Sequence, residues 1–278
     1  MNFIKNLKIK NVVLYSFLIA FTCIQVYPII WMVLFSLKTN NEFYNSSAFS
    51  LPQSFRWQNY VDALTTGNMA LYFLNSIVIT AISIFAIVML GSMAAFAISR
   101  IKWKLSNATL MLYLIGVMIP IHATIIPLFI ILSKLKILNT PQAVILPYIA
   151  FGLSTSVYIL VGAMSQIPKA LEESAVVDGA SIYWVFSVIA LPLIRPAMIT
   201  VIILNYLAVW NEYIFAATFL GGKFKPLMVG IMYFVGRYST EWGAMGAALV
   251  IATLPTLVIY GFLNKQITKG ITAGAVKG

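Results

Sequence analysis

A chain of 278 residues that is 61% hydrophobic and only 9% charged is no ordinary soluble domain, since in those about a quarter of the residues are charged. Its formal charge of +11 suggests nucleic acid, but the lysines and arginines flank hydrophobic runs and form no basic face, so they read as membrane topology signals instead. One histidine and one cysteine supply neither a metal cluster nor a catalytic dyad, and Cys23, alone inside a hydrophobic run, allows no intrachain disulfide.

Lys5, Lys8 and Lys10 precede the first apolar run, Val12 to Leu37. It is longer than the core of a signal peptide and no small-residue cleavage site follows, so it reads as a retained transmembrane helix. Lys38 to Met69, with Glu42, Arg56 and Asp62, is a polar connection. The second run, Ala70 to Ile98, ends in small residues (Gly91, Ser92, Ala94, Ala95, Ala97) that permit close helix packing. Arg100, Lys102 and Lys104 follow at once. A third run, Ala108 to Leu132, is interrupted by Pro120 and Pro127, with His122 between them in a helix-break or pore-lining position. The fourth, Ala143 to Met164, is entered through Pro141 and contains Pro147. Such prolines predict kinked spans that line a cavity or form a hinge.

A polar island from Pro168 to Pro196 separates the fourth run from the fifth. It holds Glu172, Glu173 and Asp178, three of the seven acidic residues in the chain. Pro168 suits the first turn of a helix, and Glu172 and Glu173 suit its positive end. Leu171, Ala175 and Asp178 share one face, and Gly179 is placed to end the helix in a left-handed conformation. A docking surface and a solvated loop with helical character both fit this composition. The fifth run spans Pro196 to Leu220 and the sixth Ala244 to Leu263. Each is long enough to cross a bilayer, so the sequence predicts an all-α integral membrane protein with six transmembrane helices. Six spans put both termini on one side. That side, shared with the island, then carries eleven of the 18 lysines and arginines, which places it in the cytoplasm. Lys134 and Lys136 run against the rule.

Glu212, in Trp210-Asn211-Glu212-Tyr213, is a carboxylate inside an apolar run and a functional candidate for that reason. It fits equally a hydrated or paired position near the outer end. Asn75, Asn205 and Asn211 can hydrogen-bond a polar solute or simply bond neighbouring helices. The chain contains no G-x4-G-K-[ST] phosphate loop, and one intramembrane carboxylate is thin for a proton relay. If this protein moves solute uphill, another subunit provides the energy.

Within the island, Glu173-Ser174-Ala175, three residues, Gly179, nine residues, Ile189, one residue and Leu191-Pro192 resemble the EAA-x3-G-x9-I-x-L-P signature of bacterial ABC-importer permeases. Ser174 stands where that family usually has Ala. The flanking LEESAVVDGAS with LPL resembles the carbohydrate-uptake subfamily, the maltose-type second permease subunit, and WNEY resembles its WN-x-F/Y segment. The resemblance implies one permease domain over 1–278: a peripheral first span and external loop (12–69), a permease core (70–264), a coupling segment (165–192) and a tail (265–278). It makes the island a cytoplasmic coupling helix between spans four and five. Leu171, Glu172, Glu173, Ser174, Ala175, Asp178, Gly179 and Ala180 would then meet a cleft on the ATPase subunit.

The same resemblance implies that Asn75, Asn205, Trp210, Asn211, Glu212 and Tyr213 border the translocation path. It sends Tyr233, Phe234 and Tyr238 of the external Gly221–Gly243 connection toward a solute-binding protein. It puts the tail residues Gly274, Ala275, Val276, Lys277 and Gly278 at the ATPase interface. The implied partners are a second homologous permease, two ATPase subunits that use ATP and Mg, an extracytoplasmic binding protein or lipoprotein, the lipid bilayer and a sugar. The chain itself is expected to bind no cofactor, metal or nucleic acid and to catalyse no reaction. The implied location is the bacterial cytoplasmic membrane with both termini cytoplasmic. The rival reading is a stand-alone secondary transporter of a small polar solute. That class typically shows paired repeats with ionisable residues near mid-membrane, which this sequence lacks.

Overall fold

The computed structural model describes residues 2–47, 49–101, 103–236 and 240–275, without the side chains of 2–10 and 263–275. The chain divides into two compact units, Met1–Ala70 with Ile231–Leu254, and Leu71–Gly230 with Pro255–Gly278.

In the first unit, α1 (Asn2–Ser36) is a 35-residue helix whose residues 11–30 are all exposed, as suits a lipid-facing span. Beyond it the polar connection is folded rather than loose. Thr39 caps α2 (Asn40–Asn45) in a capping box, its hydroxyl accepting from the Glu42 amide while the Glu42 carboxylate accepts from the Thr39 amide at 2.6 Å. The other carboxylate oxygen accepts from the Gln53 amide at 2.6 Å. Lys38, 3% exposed, donates to Ser50 Oγ at 3.1 Å and lies 5.9 Å from the centre of the Phe43 ring. On α3 (Gln58–Leu64), the Asn59 amide ties down the end of α1 by donating to the carbonyls of Ser36 and Lys38.

Burial raises the pKa of Glu42, but the two amides, the Thr39 hydroxyl and the Lys38 charge outweigh it and leave the group below its ordinary 4.5. A folded-state pKa below the unfolded one contributes stability that is full above 4.5 and is lost as pH falls through the lower, folded value. Limited proteolysis of the 46–53 segment is therefore expected to be constant near neutral pH and to accelerate as the pH falls below 4.5. In Glu42→Gln that acid step disappears.

The long helix α14 (Trp242–Ala275) packs on the same connection through glycines. A Cβ on Gly243 would lie 2.4 Å from Asn59 Nδ2 and 2.6 Å from the Lys38 carbonyl oxygen, and one on Gly246 would lie 2.9 Å from Ser36 Cα. Backbone is in the way, so Gly243→Val must push α14 off α3. The expected cost is about 2–3 kcal/mol, read as a lower melting temperature in detergent.

In the second unit, α4 (Met69–Arg100) is followed by α5 (Ser106–Met118), a tight turn at Ile121–Thr124 and α6 (Ile125–Lys134). This pair bends by 93°. Ile119 is extended (ψ 122°) because it precedes Pro120, which cannot continue the helix. Pro127 falls in the first turn of α6, where its missing N–H does little harm. Next come α7 (Gln142–Met164) and the short α8 (Ala170–Val177). Then α9 (Ile182–Trp184), a π-helical stretch (Val185–Ala190) and α10 (Leu191–Leu193) form one rod, bent by 73° from α11 (Arg195–Trp210) at Ile194. The unit continues with α12 (Ile214–Phe219) and α13 (Leu227–Ile231).

Among the described residues, four helices are long and apolar enough to cross a membrane, or six if each bent pair is one span. The expected fifth run to Leu220 is not continuous, because helix α11 stops at Trp210 and Asn211–Tyr213 separate it from α12. Helix α7 is the hub. Its Val144 and Tyr148 share a core with Ile79, Leu132, Phe215 and Phe219, and its Leu160 and Met164 share another with Ile87, Phe96, Val185 and Ile194. Gly91, Ser92 and Ala95 are buried as their small size predicts. In lipid there is little hydrophobic gain from such contacts, so close packing and interhelical hydrogen bonds hold the helices.

Candidate translocation and coupling sites

The polar island folds as a helix stopped by glycine. Gly179 takes φ +87°; its amide donates to the Val176 carbonyl and the Ala180 amide to the Ala175 carbonyl. That pair of bonds is the Schellman stop. The Ser181 hydroxyl then accepts from the Trp184 amide at 3.2 Å and starts the next rod. The faces differ from the sequence expectation. The inward face carries Glu172, 9% exposed, and Ala175, three residues on. Leu171, Glu173, Ser174, Asp178 and Gly179 are exposed, and Ala180 is half-buried beside Ala175. Glu172 faces inward because it meets Arg100 Nε at 2.9 Å, a partner that composition alone did not supply.

A half-open cavity of about 610 Å³ lies among α7, α11, α12 and the bend before α6. Its walls are mainly apolar, with Phe151, Ile159, Leu204 and Phe215 among them, and its polar groups include His122, Thr155, Ser156, Asn205, Asn211, Glu212 and Tyr213. Hydroxyls and amides dominate over acid–base pairs. Among the described residues no cluster of His, Cys, Asp or Glu has the makings of a metal site.

Glu212 is anchored on every side. One carboxylate oxygen accepts from the Phe215 amide at 2.8 Å, and the other from the Ala216 amide at 3.1 Å and from the Tyr148 hydroxyl at 2.5 Å. The carboxylate thus caps the first turn of α12 and ties it to α7. Asn205, buried, donates to Ser156 Oγ at 3.0 Å and to its own helix at Val201. Asn211 donates to the Leu207 carbonyl while lining the cavity.

Two expected path residues lie outside the cavity lining. Asn75 on α4 donates to the carbonyls of Lys223 and Lys225 at 2.7 and 2.9 Å, while the neighbouring Ser76 hydroxyl accepts from the Leu227 amide, so both pin the loop before α13. Trp210, 4% exposed, stacks on Tyr206 and meets Phe73 edge-on. The sequence reading missed Tyr148. A mid-span tyrosine needs a partner for its hydroxyl, and Glu212, the lone carboxylate of the fifth run, had the matching need.

Of the Gly221–Gly243 connection, Tyr233 is 60% exposed, but Phe234 is 5% exposed with its ring over Gly67. Phe234 is therefore a packing residue of the first unit rather than an accessible docking side chain. Tyr238 lies outside the described residues, as do Val276, Lys277 and Gly278. The backbone at Gly274 and Ala275 continues α14.

Residues 87–273 match the family described as binding-protein-dependent transport system inner membrane component. A putative ABC transporter permease protein (ORF2) of Caldicellulosiruptor sp. is 39% identical over 265 residues, covering 95% of this chain and 96% of that one. The trehalose/maltose transport system permease protein MalG of Thermococcus litoralis is 34% identical over 275 residues, covering 97% and 98%. The fold matches a chain in the crystal structure of a bacterial ABC transporter involved in the import of the acidic polysaccharide alginate. That match has a TM-score of 0.80 at 20% identity and covers 93% of this chain and 96% of that chain. With the match spanning Ile87 to Ala273, the chain belongs to the family of inner membrane components of binding-protein-dependent transport systems.

Proposed function

We propose that this chain is one of two homologous permease subunits of an ABC importer for a sugar or oligosaccharide. It would lie in the bacterial cytoplasmic membrane with both termini cytoplasmic. The observation that carries the reading is α8, a glycine-stopped helix that exposes Glu173, Ser174 and Asp178 at the position of the family's coupling motif. An apolar-walled cavity with hydroxyl, amide and aromatic groups suits a hydroxyl-rich solute. The relative from Thermococcus litoralis carries a disaccharide transport name, in keeping with that class.

In this reading ATP and Mg are used by two separate ATPase subunits, and an extracytoplasmic binding protein delivers the solute, with exposed Tyr233 a candidate contact. Closure of the ATPases displaces α8, and the bent rods on either side of α7 convert that displacement into alternating access. Proteoliposomes holding this chain, its companion permease and the ATPases test the proposal. With ATP–Mg on the ATPase side and binding protein with labelled oligosaccharide opposite, uptake is expected to require both. Solute counterflow by this chain alone, without ATP, would establish the stand-alone carrier instead.

A further inference from the structure

Arg100 is the last residue of α4, Met164 the last of α7, and Glu172 lies in the first turn of α8. The three helix ends meet at one guanidinium. Its Nη2 donates to the Met164 carbonyl at 2.5 Å and to the Ile167 carbonyl at 2.8 Å, and its Nε lies 2.9 Å from Glu172 Oε1. The two side chains are 5% and 12% exposed, and among the described residues neither Arg100 Nε nor Glu172 Oε1 has a hydrogen-bond partner, so what joins these two atoms is their charge. Carbonyls at a helix C-terminus are orphaned and carry the negative end of its dipole, so a cation there satisfies bonds and field together.

A buried ion pair is costly to form and far costlier to break, because separation strands two charges without water. Any sliding of α8 against the ends of α4 and α7 must break this pair. Ala175 and Ala180 pack on the apolar cluster of Phe96, Met164, Ile167 and Val185, which resists the same sliding. We infer that Arg100 is a positioning residue for coupling: it clasps α8 to the ends of α4 and α7, so that displacement of the coupling helix enters both spans directly. Glu172 accordingly serves this inner clasp, leaving Glu173 and Ser174 on the outer face. The inference rests on the importer reading above.

Arg100→Met, Glu172→Met and the double variant test it in the complete complex, with assembly yield and solute taken up per ATP hydrolysed as the two readouts. Each single variant strands a buried charge and is expected to assemble poorly, while the double variant recovers assembly to within about twofold of wild type. The recovered double variant is nevertheless expected to lose about tenfold or more in uptake per ATP, the size of a typical coupling between sites. Arg100→Lys keeps the charge but lacks the fork needed for two carbonyls and a carboxylate, and should fall between. A double variant with wild-type uptake per ATP overturns the clasp while leaving the importer reading intact. A wild-type complex that shows no ATP-driven uptake overturns both.

Discussion

Leucine at position 152 is expected to cut uptake severely while the chain still inserts. Gly152 sits where α7 meets α4 and α11, and a bare Cβ there would lie 2.4 Å from Ile87 Cδ1 and 2.5 Å from Asn205 Oδ1. Ile87 is fully buried and cannot swing away, and Asn205 is held by Ser156 and the Val201 carbonyl. Gly152→Ala therefore requires small shifts, at about 1–2 kcal/mol. The three further carbons of leucine must either part the helices or project into the cavity that Gly152 lines. Gly152→Leu is expected to reduce uptake per assembled complex by about tenfold or more, with Gly152→Ala within a few-fold of wild type. Wild-type uptake by Gly152→Leu would remove the cavity from the solute path.

The second large effect is expected at Glu212, where alanine leaves the Tyr148 hydroxyl and the Phe215 and Ala216 amides without their acceptor. Phe215 and Ala216 are 1% and 0% exposed, so their amides have little access to water once the carboxylate is lost. Each stranded group costs about 1–3 kcal/mol, and Glu212→Ala should lower the melting temperature in detergent more than any other cavity-lining substitution to alanine. Glu212→Gln keeps one acceptor oxygen but turns a donor toward an amide, and should be intermediate. Tyr148→Phe removes one bond of three, at about 1 kcal/mol in the wild-type background, and should cost nothing once Glu212 is alanine. An unchanged melting temperature with lost uptake in Glu212→Ala would instead make the carboxylate a solute contact.

Much of this arrangement is legible in the sequence because it depends on local chemistry. Apolar length sets the spans, Pro120 forces Ile119 to extend and bend the third, and Gly179 supplies the left-handed residue that ends α8. What the sequence left hidden concerns residues whose partners are distant in the chain. Glu172 looked like part of an exposed acidic face, yet its partner Arg100 is 72 positions away and looked like a topology charge. Asn75 fitted either a solute contact or a bond within the protein, and only the fold brings the carbonyls of Lys223 and Lys225 to it. Phe234 looked like a docking aromatic because nothing local reveals that Gly67 leaves room for its ring. Periodicity also could not show the break after Trp210, since Asn211–Tyr213 interrupt a run that is otherwise apolar.

The central claim is that the outer face of α8 docks on an ATPase. Ser174 is exposed there, and its hydroxyl bonds only back to the Leu171 carbonyl among the described residues. A Ser174→Cys variant in a Cys23→Ser background, which removes the exposed native thiol, tests it directly in inside-out vesicles with the ATPase subunits co-expressed. The account predicts a cross-link to the ATPase whose yield changes with nucleotide. If the introduced thiol is labelled from the cytoplasmic side yet captures no ATPase in any nucleotide state, α8 is not the coupling helix and the importer mechanism built on it is wrong.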